Sequence, residues 1–311
     1  MSVNTKVTTK YILGVKVDFG LNLYSVVSFI GELLAKAKVV SNEVMSAEDC
    51  HLISTTNPEF IMSAQQDPTF KTTINTSVLS LPDGVGVVFA RHFLEKTSEF
   101  EKDFFYPVRC FLYGLYLGSV SFFRNFAKER ISGVDLVDEL CALAEKENYN
   151  VFLLGGWPKD FWGRNLETQE DLASAATENL KGKYPGLNVV GATSQFSYKK
   201  QDDEATLAYI KDCMTSKRVS SLDILFVAYG HIRQEGWIAR NSGKIPARIS
   251  VGVGGTFDYI ANVKKRPPKL LRTLNLAWLY RFITQPWRIS RIFTVFPSFP
   301  LRIFIFSVKN P

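Results

Sequence analysis

Over residues 259–311 the chain has no aspartate or glutamate, although it carries ten lysines and arginines there. The whole sequence of 311 residues holds 37 basic and 30 acidic side chains. Its formal charge of +7 therefore joins a slightly acidic body to a strongly basic tail. That division excludes a protein built basic throughout to coat nucleic acid. Cysteine is scarce: Cys50, Cys110, Cys141 and Cys213 are scattered, with no spacing that suggests a metal knuckle, a redox dithiol or a disulfide framework. Reduced thiols of a cytosolic protein are the reading. His51, His92 and His231 are the only histidines and do not pair at metal-ligand spacing, so each reads as structural or surface. No apolar run reaches the ~18 residues of a membrane-spanning helix. The nearest, 110–123, is bounded by Arg109 and Arg124. Residues 1–10 are polar and lack the apolar core of a signal peptide. The expectation is a cytoplasmic chain attached to a membrane without crossing it.

Missing motifs narrow the chemistry further. There is no Walker phosphate loop, no Gly-x-Ser-x-Gly elbow and no zinc-protease histidine pair. Gly84-Val85-Gly86 lacks the third glycine of a dinucleotide fingerprint, which disfavours a nicotinamide-dependent dehydrogenase. No Asp-x-Asp occurs, so a carboxylate pair holding a diphosphate-bound metal is not expected.

What is present is alternation. Apolar β-runs at 51–55, 77–81, 150–154, 188–191, 223–228 and 247–253 are separated by helical stretches at 58–66, 84–93, 134–147, 166–181, 203–217 and 233–242. Runs of Val, Ile, Leu and Phe suit strands covered on both faces, which predicts an open, mainly parallel Rossmann-like α/β sheet with helices on both sides. In such sheets ligands bind at the carboxyl ends of the strands. The segments there are Thr55-Thr56-Asn57-Pro58, Pro82-Asp83-Gly84-Val85-Gly86, Gly155-Gly156-Trp157-Pro158, Tyr229-Gly230 with Gln234-Glu235, and Gly252-Val253-Gly254-Gly255-Thr256-Phe257-Asp258. Each glycine taken alone is an ordinary strand-to-helix turn. Together they suit close backbone approach to a phosphate or nucleotide. Two stretches break the alternation. Residues 96–128 read as a two-helix insertion packed on the core or as a membrane-touching element. A basic, aromatic tail follows Lys264-Lys265-Arg266-Pro267-Pro268. The predicted domains are 1–262, carrying the insertion, and a helical appendage at 263–311.

The order of these motifs, with Glu129-Arg130-Ile131-Ser132-Gly133-Val134-Asp135-Leu136, Tyr184-Pro185-Gly186-Leu187, Arg266-Pro267-Pro268-Lys269 and Trp278-Leu279-Tyr280-Arg281, resembles the WecG/TagA/CpsF glycosyltransferase family over residues 14–291. The resemblance implies an inverting, metal-independent enzyme without a cofactor. Such an enzyme moves a sugar, often of N-acetylmannosamine type, from a UDP donor to a polyprenyl-diphosphate-linked saccharide. It would sit peripherally on the cytoplasmic face of the bacterial inner membrane, in surface-polysaccharide or teichoic-acid assembly. Two positions depart from the family pattern: Ile232 stands where a proline is usual, and Ala277 where a glutamate precedes Trp-Leu-Tyr-Arg. The insertion at 96–128 has no counterpart in typical members.

Inverting transfer needs a base for the acceptor hydroxyl. Asp83, after a strand and before a glycine turn, is the candidate, and the resemblance implies the same role. Its competing role is that of a helix N-cap. Thr55 and Asn57 would bind the sugar or fix Asp83, unless they serve only the turn. Without a metal, charge developing on UDP needs cations and backbone amides. Arg130 is the motif-borne cation, and Gly84, Gly155, Gly156, Gln234, Gly252, Gly254 and Gly255 would line the nucleotide. Asp258 would accept from ribose or base, and Glu235 suits a helix start as well as a ligand. Arg281, Arg288 and Arg291 fall within about 80° on a helical wheel, although Pro286 interrupts that helix. The resemblance implies that they close over the site onto diphosphate. The remaining tail, with Trp278, Trp287, Phe293, Phe296, Phe299 and Phe304 beside Arg302 and Lys309, reads as an interfacial anchor for anionic lipid. A nucleic-acid-binding tail and a non-catalytic relative are the competing readings. Oligomeric state is left open.

Overall fold

A computed structural model describes residues 7–39, 50–121, 130–157, 159, 162, 164, 171–245, 247–274 and 276–310. The chain opens with a hairpin, β1 (Thr8–Ile12) and β2 (Val15–Phe19), then α1 (Leu23–Val39). β3 (His51–Thr56) leads into α2 (Pro58–Ser63) and α3 (Pro68–Asn75), and β4 (Leu79–Pro82) into α4 (Val85–Ser98) and α5 (Tyr106–Ser121). α6 (Gly133–Glu147), β5 (Val151–Leu154), α7 (Leu172–Lys183), β6 (Val189–Thr193), α8 (Asp203–Lys217), β7 (Leu222–Val227), α9 (Arg233–Asn241) and β8 (Ala247–Gly252) continue the alternation. The chain ends in short helices α10 (Thr256–Ile260), α11 (Lys269–Thr273), α12 (Ala277–Thr284) and α13 (Ile289–Phe293), then α14 (Phe299–Lys309).

The six strands β3 to β8 form one parallel sheet in the order β4-β3-β8-β7-β5-β6. Its continuous apolar runs are explained by two covered faces. Val151 and Leu153 of β5, with Ile224 and Phe226 of β7, enter the core under α1, α6 and α7. Their neighbours Phe152, Leu154, Leu225 and Val227 enter the core under α8 and α9. A third cluster joins the hairpin to α2, α3, α4, α5 and α14.

Local chemistry sets the element ends. Asn57 and Asp67 cap α2 and α3, each accepting from the backbone amide three residues on, at Phe60 and Phe70, and each is followed by proline at the first helical position. Asp171 caps α7, so that helix starts at Leu172; residues 166–170 of the expected helix lie outside the described residues. Asn148 and Arg218 close α6 and α8 in the left-handed conformation.

The sequence pattern did not anticipate the hairpin. Its alternation of buried Val15, Val17 and Phe19 around the turn at Leu13-Gly14 is the signal that announces it. The hairpin packs over β4, where buried Asp18 accepts from the Ser80 amide at 2.8 Å and Lys16 donates to the Ser77 carbonyl at 2.7 Å. A side chain thus satisfies the free edge of the sheet.

One expectation is described only in part and one is corrected. Within the described part of 96–128 there is one separate helix, α5; Lys96 still belongs to α4, and residues 122–129 lie outside the described residues. The tail also contains a helical run, Pro286–Lys309, of 24 residues with mean hydropathy 1.4 over an 18-residue window, long and apolar enough to cross a membrane by length and composition. It is broken at Phe296, whose φ of −153° and ψ of 123° are not helical. Beyond that break Phe299 and Ile303 are fully buried in the third cluster. Counting only uncharged residues hid this run, because Arg288, Arg291, Arg302 and Lys309 fall inside it.

Candidate active site

The carboxyl ends of β3, β4, β7 and β8 converge, and the backbone links them. The Asp83 amide donates to the Thr56 carbonyl at 2.9 Å, and the Ile131 amide donates to the Pro82 carbonyl at 2.9 Å. The second bond brings Arg130 alongside Asp83. Gly84, with φ +97°, takes the N-cap position of α4 without a side-chain cap, so the competing role of Asp83 as N-cap falls away. Among the described residues no side chain donates to the Asp83 carboxylate. Burial pushes its pKa up, while Arg281 and then Arg130 pull it down and Glu59 adds a smaller upward push. A half-buried carboxylate held ready to take a proton, with cations at hand, is the arrangement a general base needs.

Thr55 and Asn57 stand one strand over. The Thr55 hydroxyl lies 3.4 Å from the Gly252 carbonyl, and Asn57 Oδ1 is occupied by the Phe60 amide. The amide nitrogen of Asn57 faces no acceptor among the described residues. Gln234 is buried, and its Oε1 accepts from the Gly230 amide at 3.1 Å and from the Gly254 amide at 2.9 Å. It therefore joins the turns after β7 and β8, and its own Nε2 donates to Glu235 at 2.7 Å. A Cβ on Gly252 would fall 2.4 Å from that Nε2, which is why the strand ends in glycine. Gly155 and Gly156 adopt φ of +85° and +103°, and Trp157 stacks on Tyr229 with centroids 5.4 Å apart. Asp258 Oδ2 is held by Lys264 at 2.7 Å, while its buried Oδ1 has no partner among the described residues. Gly255 opens α10 beside it.

The tail folds over this end of the sheet. Arg130 Nη2 donates to the Arg272 carbonyl at 3.0 Å, and Arg266 pairs with Asp135 at 2.8 Å, which anchors the Arg-Pro-Pro segment to α6. The helix breaks at Gln285-Pro286 as the proline requires, and Arg288 and Arg291 follow it. Burial, then the like charges of Arg291 and Arg281, push Arg288 down to about 10. Lys159, Nζ 5.0 Å over the Trp287 ring, is likewise held below its usual range by burial and by Arg233, Lys264, Arg288 and Arg291. Buried Nε atoms of Arg272 and Arg288, and the Trp287 indole nitrogen, have no partner among the described residues. Such a gathering of cations and unpaired donors is costly unless an anion completes it.

Sequence reading missed Glu59, which ties the tail down. Its Oε2 accepts from Arg291 Nε at 2.9 Å and lies 3.8 Å from His231 Nδ1. Burial pushes His231 down to about 4, so it is neutral, with Nε2 3.0 Å from the Ser63 hydroxyl. The one available signal was a carboxylate directly after Asn57-Pro58. Arg233, the cation beside Gln234-Glu235, joins the cluster, and so does Lys159, which no motif marks. Ile232 has φ +66°, a conformation closed to proline, so the departure at this position matches the local backbone.

An open parallel α/β sheet with a carboxylate and a group of cations at its strand ends suits an enzyme of the group-transfer class. The chain belongs to the WecG/TagA/CpsF family of glycosyl transferases, whose model matches residues 27–102 and 116–310. A Bacillus subtilis (strain 168) relative is 26% identical over 255 residues, covering 81% of this chain and 78% of the relative. A Staphylococcus aureus (strain NCTC 8325) relative is 27% identical over 251 residues, with the same coverage. Both are named N-acetylglucosaminyldiphosphoundecaprenol N-acetyl-beta-D-mannosaminyltransferase. The protein is a glycosyltransferase.

Proposed function

We propose that this enzyme transfers an N-acetylmannosamine-type sugar, with inversion, from a UDP donor to a polyprenyl-diphosphate-linked saccharide in bacterial cell-surface polymer synthesis. The observation that carries the reading is Asp83, half-buried and without a side-chain donor among the described residues, facing Arg281 and Arg130 at the strand ends. Asp83 takes the proton of the acceptor hydroxyl as that oxygen attacks the anomeric carbon. Arg130 and the tail arginines Arg281, Arg288 and Arg291 offset the negative charge that grows on the departing UDP, a task which needs no metal where cations are this dense. Thr55 and the Asn57 amide hold the sugar. The glycine turns at Gly84, Gly155, Gly156, Gly252, Gly254 and Gly255 admit the nucleotide, with Gln234 setting their spacing and the free oxygen of Asp258 accepting from it.

The relatives' names place their acceptor on undecaprenol. For this chain we infer a peripheral enzyme at the cytoplasmic face of the inner membrane. The bend at Phe296 and the burial of Phe299 and Ile303 favour a tail lying on the bilayer over one crossing it.

The test is UDP release from a panel of UDP-sugars with a short-chain lipid-diphosphate saccharide, followed by product analysis. Asp83→Asn is expected to slow transfer by about 10²–10⁴-fold while donor binding persists. Unchanged release by Asp83→Asn would remove the base from this mechanism, and absence of release with every UDP-sugar would end the reading.

A further inference from the structure

Helix α5 has two stripes. Tyr106, Cys110 and Leu117 are buried, and Gly114 lets the helix close onto Phe93 of α4, where an added Cβ would stand 3.3 Å from the ring. The opposite stripe and the turn before it, Phe104, Phe105, Val108, Phe111, Leu112 and Leu115, is exposed, from 53% at Val108 to 90% at Phe104. Large apolar side chains repeating every three or four residues on a solvent face are not explained by the fold of this chain.

The stripe continues onto the tail. Phe111 meets Phe304 of α14 edge to face at 6.2 Å, and Tyr106 Oη lies 3.2 Å from the Ser307 hydroxyl, which donates to Thr97 of α4 at 2.9 Å. Leu301 and Phe306 extend the exposed apolar surface along α14. Over 104–121 and 299–309 there is no acid, and the only charges are Arg109, Arg302 and Lys309. Asp103, just before the stripe, is paired with Arg109. Arg302 and Lys309, seven residues apart and so on one face, both line a cleft of about 160 Å³ between α14 and the β1–β2 turn at Leu13. Apolar residues beside cations, with no anion among them, complement a surface of acyl chains and phosphate headgroups. The same helix pair packs on α4, whose first turn follows Asp83, so the stripe is rigidly linked to the site. Residues 103–115, which hold the stripe, fall in the gap between the two matched segments of the family model.

We infer that α5 and α14 together form a bilayer-docking face, in which the added segment 103–115 supplies the inserted apolar stripe and Arg302 and Lys309 supply the headgroup contacts. The inference rests on the peripheral-membrane part of the proposed function, and it assigns a role to a segment that the family pattern leaves out. A docked face of this kind orients the enzyme, because α5 and α14 cannot rotate independently of α4. Lipid-linked acceptor then reaches Asp83 from the side on which the enzyme is held.

The test uses the full chain with phosphatidylglycerol–phosphatidylethanolamine vesicles and, separately, uncharged phosphatidylcholine vesicles. The triple variant Val108→Gln/Leu112→Gln/Leu115→Gln replaces exposed side chains only. It is expected to bind both kinds of vesicle at least about tenfold more weakly, while melting and transfer to a short-chain, water-soluble acceptor stay as in the parent. Arg302→Gln/Lys309→Gln is expected to lose the preference for anionic vesicles. Should the triple variant melt early, Phe104→Ser/Phe105→Ser, ahead of the helix, gives the same reading. Vesicle binding by these variants equal to that of the parent overturns the inference. So does a parent that binds no vesicles, and so does a parent that forms a dimer which the triple variant breaks without loss of vesicle binding. Failure of the transfer reading shows separately, as a parent that releases no UDP with the soluble acceptor whatever its vesicle binding.

Discussion

Arg291 donates through both Nε and Nη2 to a single oxygen of Glu59, so the basic tail is fastened to α2, the helix that starts one residue beyond Asn57. The same carboxylate raises the pKa of Asp83 and supports charge on Arg288. One acidic side chain therefore fastens the tail and adds a small upward push to the pKa of Asp83.

Glu59→Gln separates those two effects. With the clamp weakened, kcat/KM at neutral pH is expected to fall about tenfold, since small misplacements of catalytic groups are expensive. With the negative charge gone, Asp83 loses an upward push, so the acidic limb of the pH–rate profile is expected to move to lower pH. A pH profile of kcat/KM reads both. A limb that stays in place removes Glu59 from the electrostatics of Asp83.

Arg288 is expected to trade stability for binding. Its guanidinium is buried near Arg281 and Arg291, with Nε unpartnered among the described residues. Arg288→Ala is expected to keep or raise stability by about 1 kcal/mol while weakening UDP binding at least about tenfold. Calorimetric melting beside titration with UDP checks it. Lost stability with intact UDP affinity would assign Arg288 to packing.

Glu235 gives a pH signature in stability. Burial pushes its carboxyl from 4.5 up to about 8, so between those values the unfolded chain has lost a proton that the folded chain keeps. Stability is expected to fall as pH rises through that window and to level off above it. His231, held down to about 4 from 6.5, slopes the other way only below pH 6.5, so measurements from pH 6.5 to 8 exclude it, and comparison with the Gln variant separates Glu235 from Asp83, which burial also raises. Glu235→Gln is expected to flatten that stretch in urea titrations, a change on the order of 2 kcal/mol.

Gly155→Ala is expected to cost about 2 kcal/mol or more and to lower the melting temperature. At φ +85° a side chain is strained, and its Cβ would stand 2.6 Å from Tyr229 Cδ1. Chemical denaturation checks it; a change below about 0.5 kcal/mol would mean that the turn relaxes freely.

Much of the sheet was legible because its strands are buried on both faces. Val151-Phe152-Leu153-Leu154 has apolar neighbours on each side and announces itself without periodicity. The order of strands was not legible. That β8 lies between β3 and β7 is fixed by pairing across distant segments, which no local pattern encodes. Asp83 could be singled out from the sequence because strand ends are where α/β sheets bind ligands. Glu59 could not, because a carboxylate in the first turn of a helix looks like ordinary dipole compensation until Arg291 arrives from 232 residues away.

The sequence by itself determined an alternating α/β chain, a carboxylate after the second sheet strand, glycines at its strand ends and a tail without acids. These are local properties: hydrophobic runs, turn chemistry and charge counts. Only the tertiary structure decided that the tail lies over Asp83, that Gln234 joins two turns rather than facing ligand alone, and that α5 and α14 share one exposed face. Those relations depend on which surfaces are buried against each other, and burial is set by the whole packed molecule.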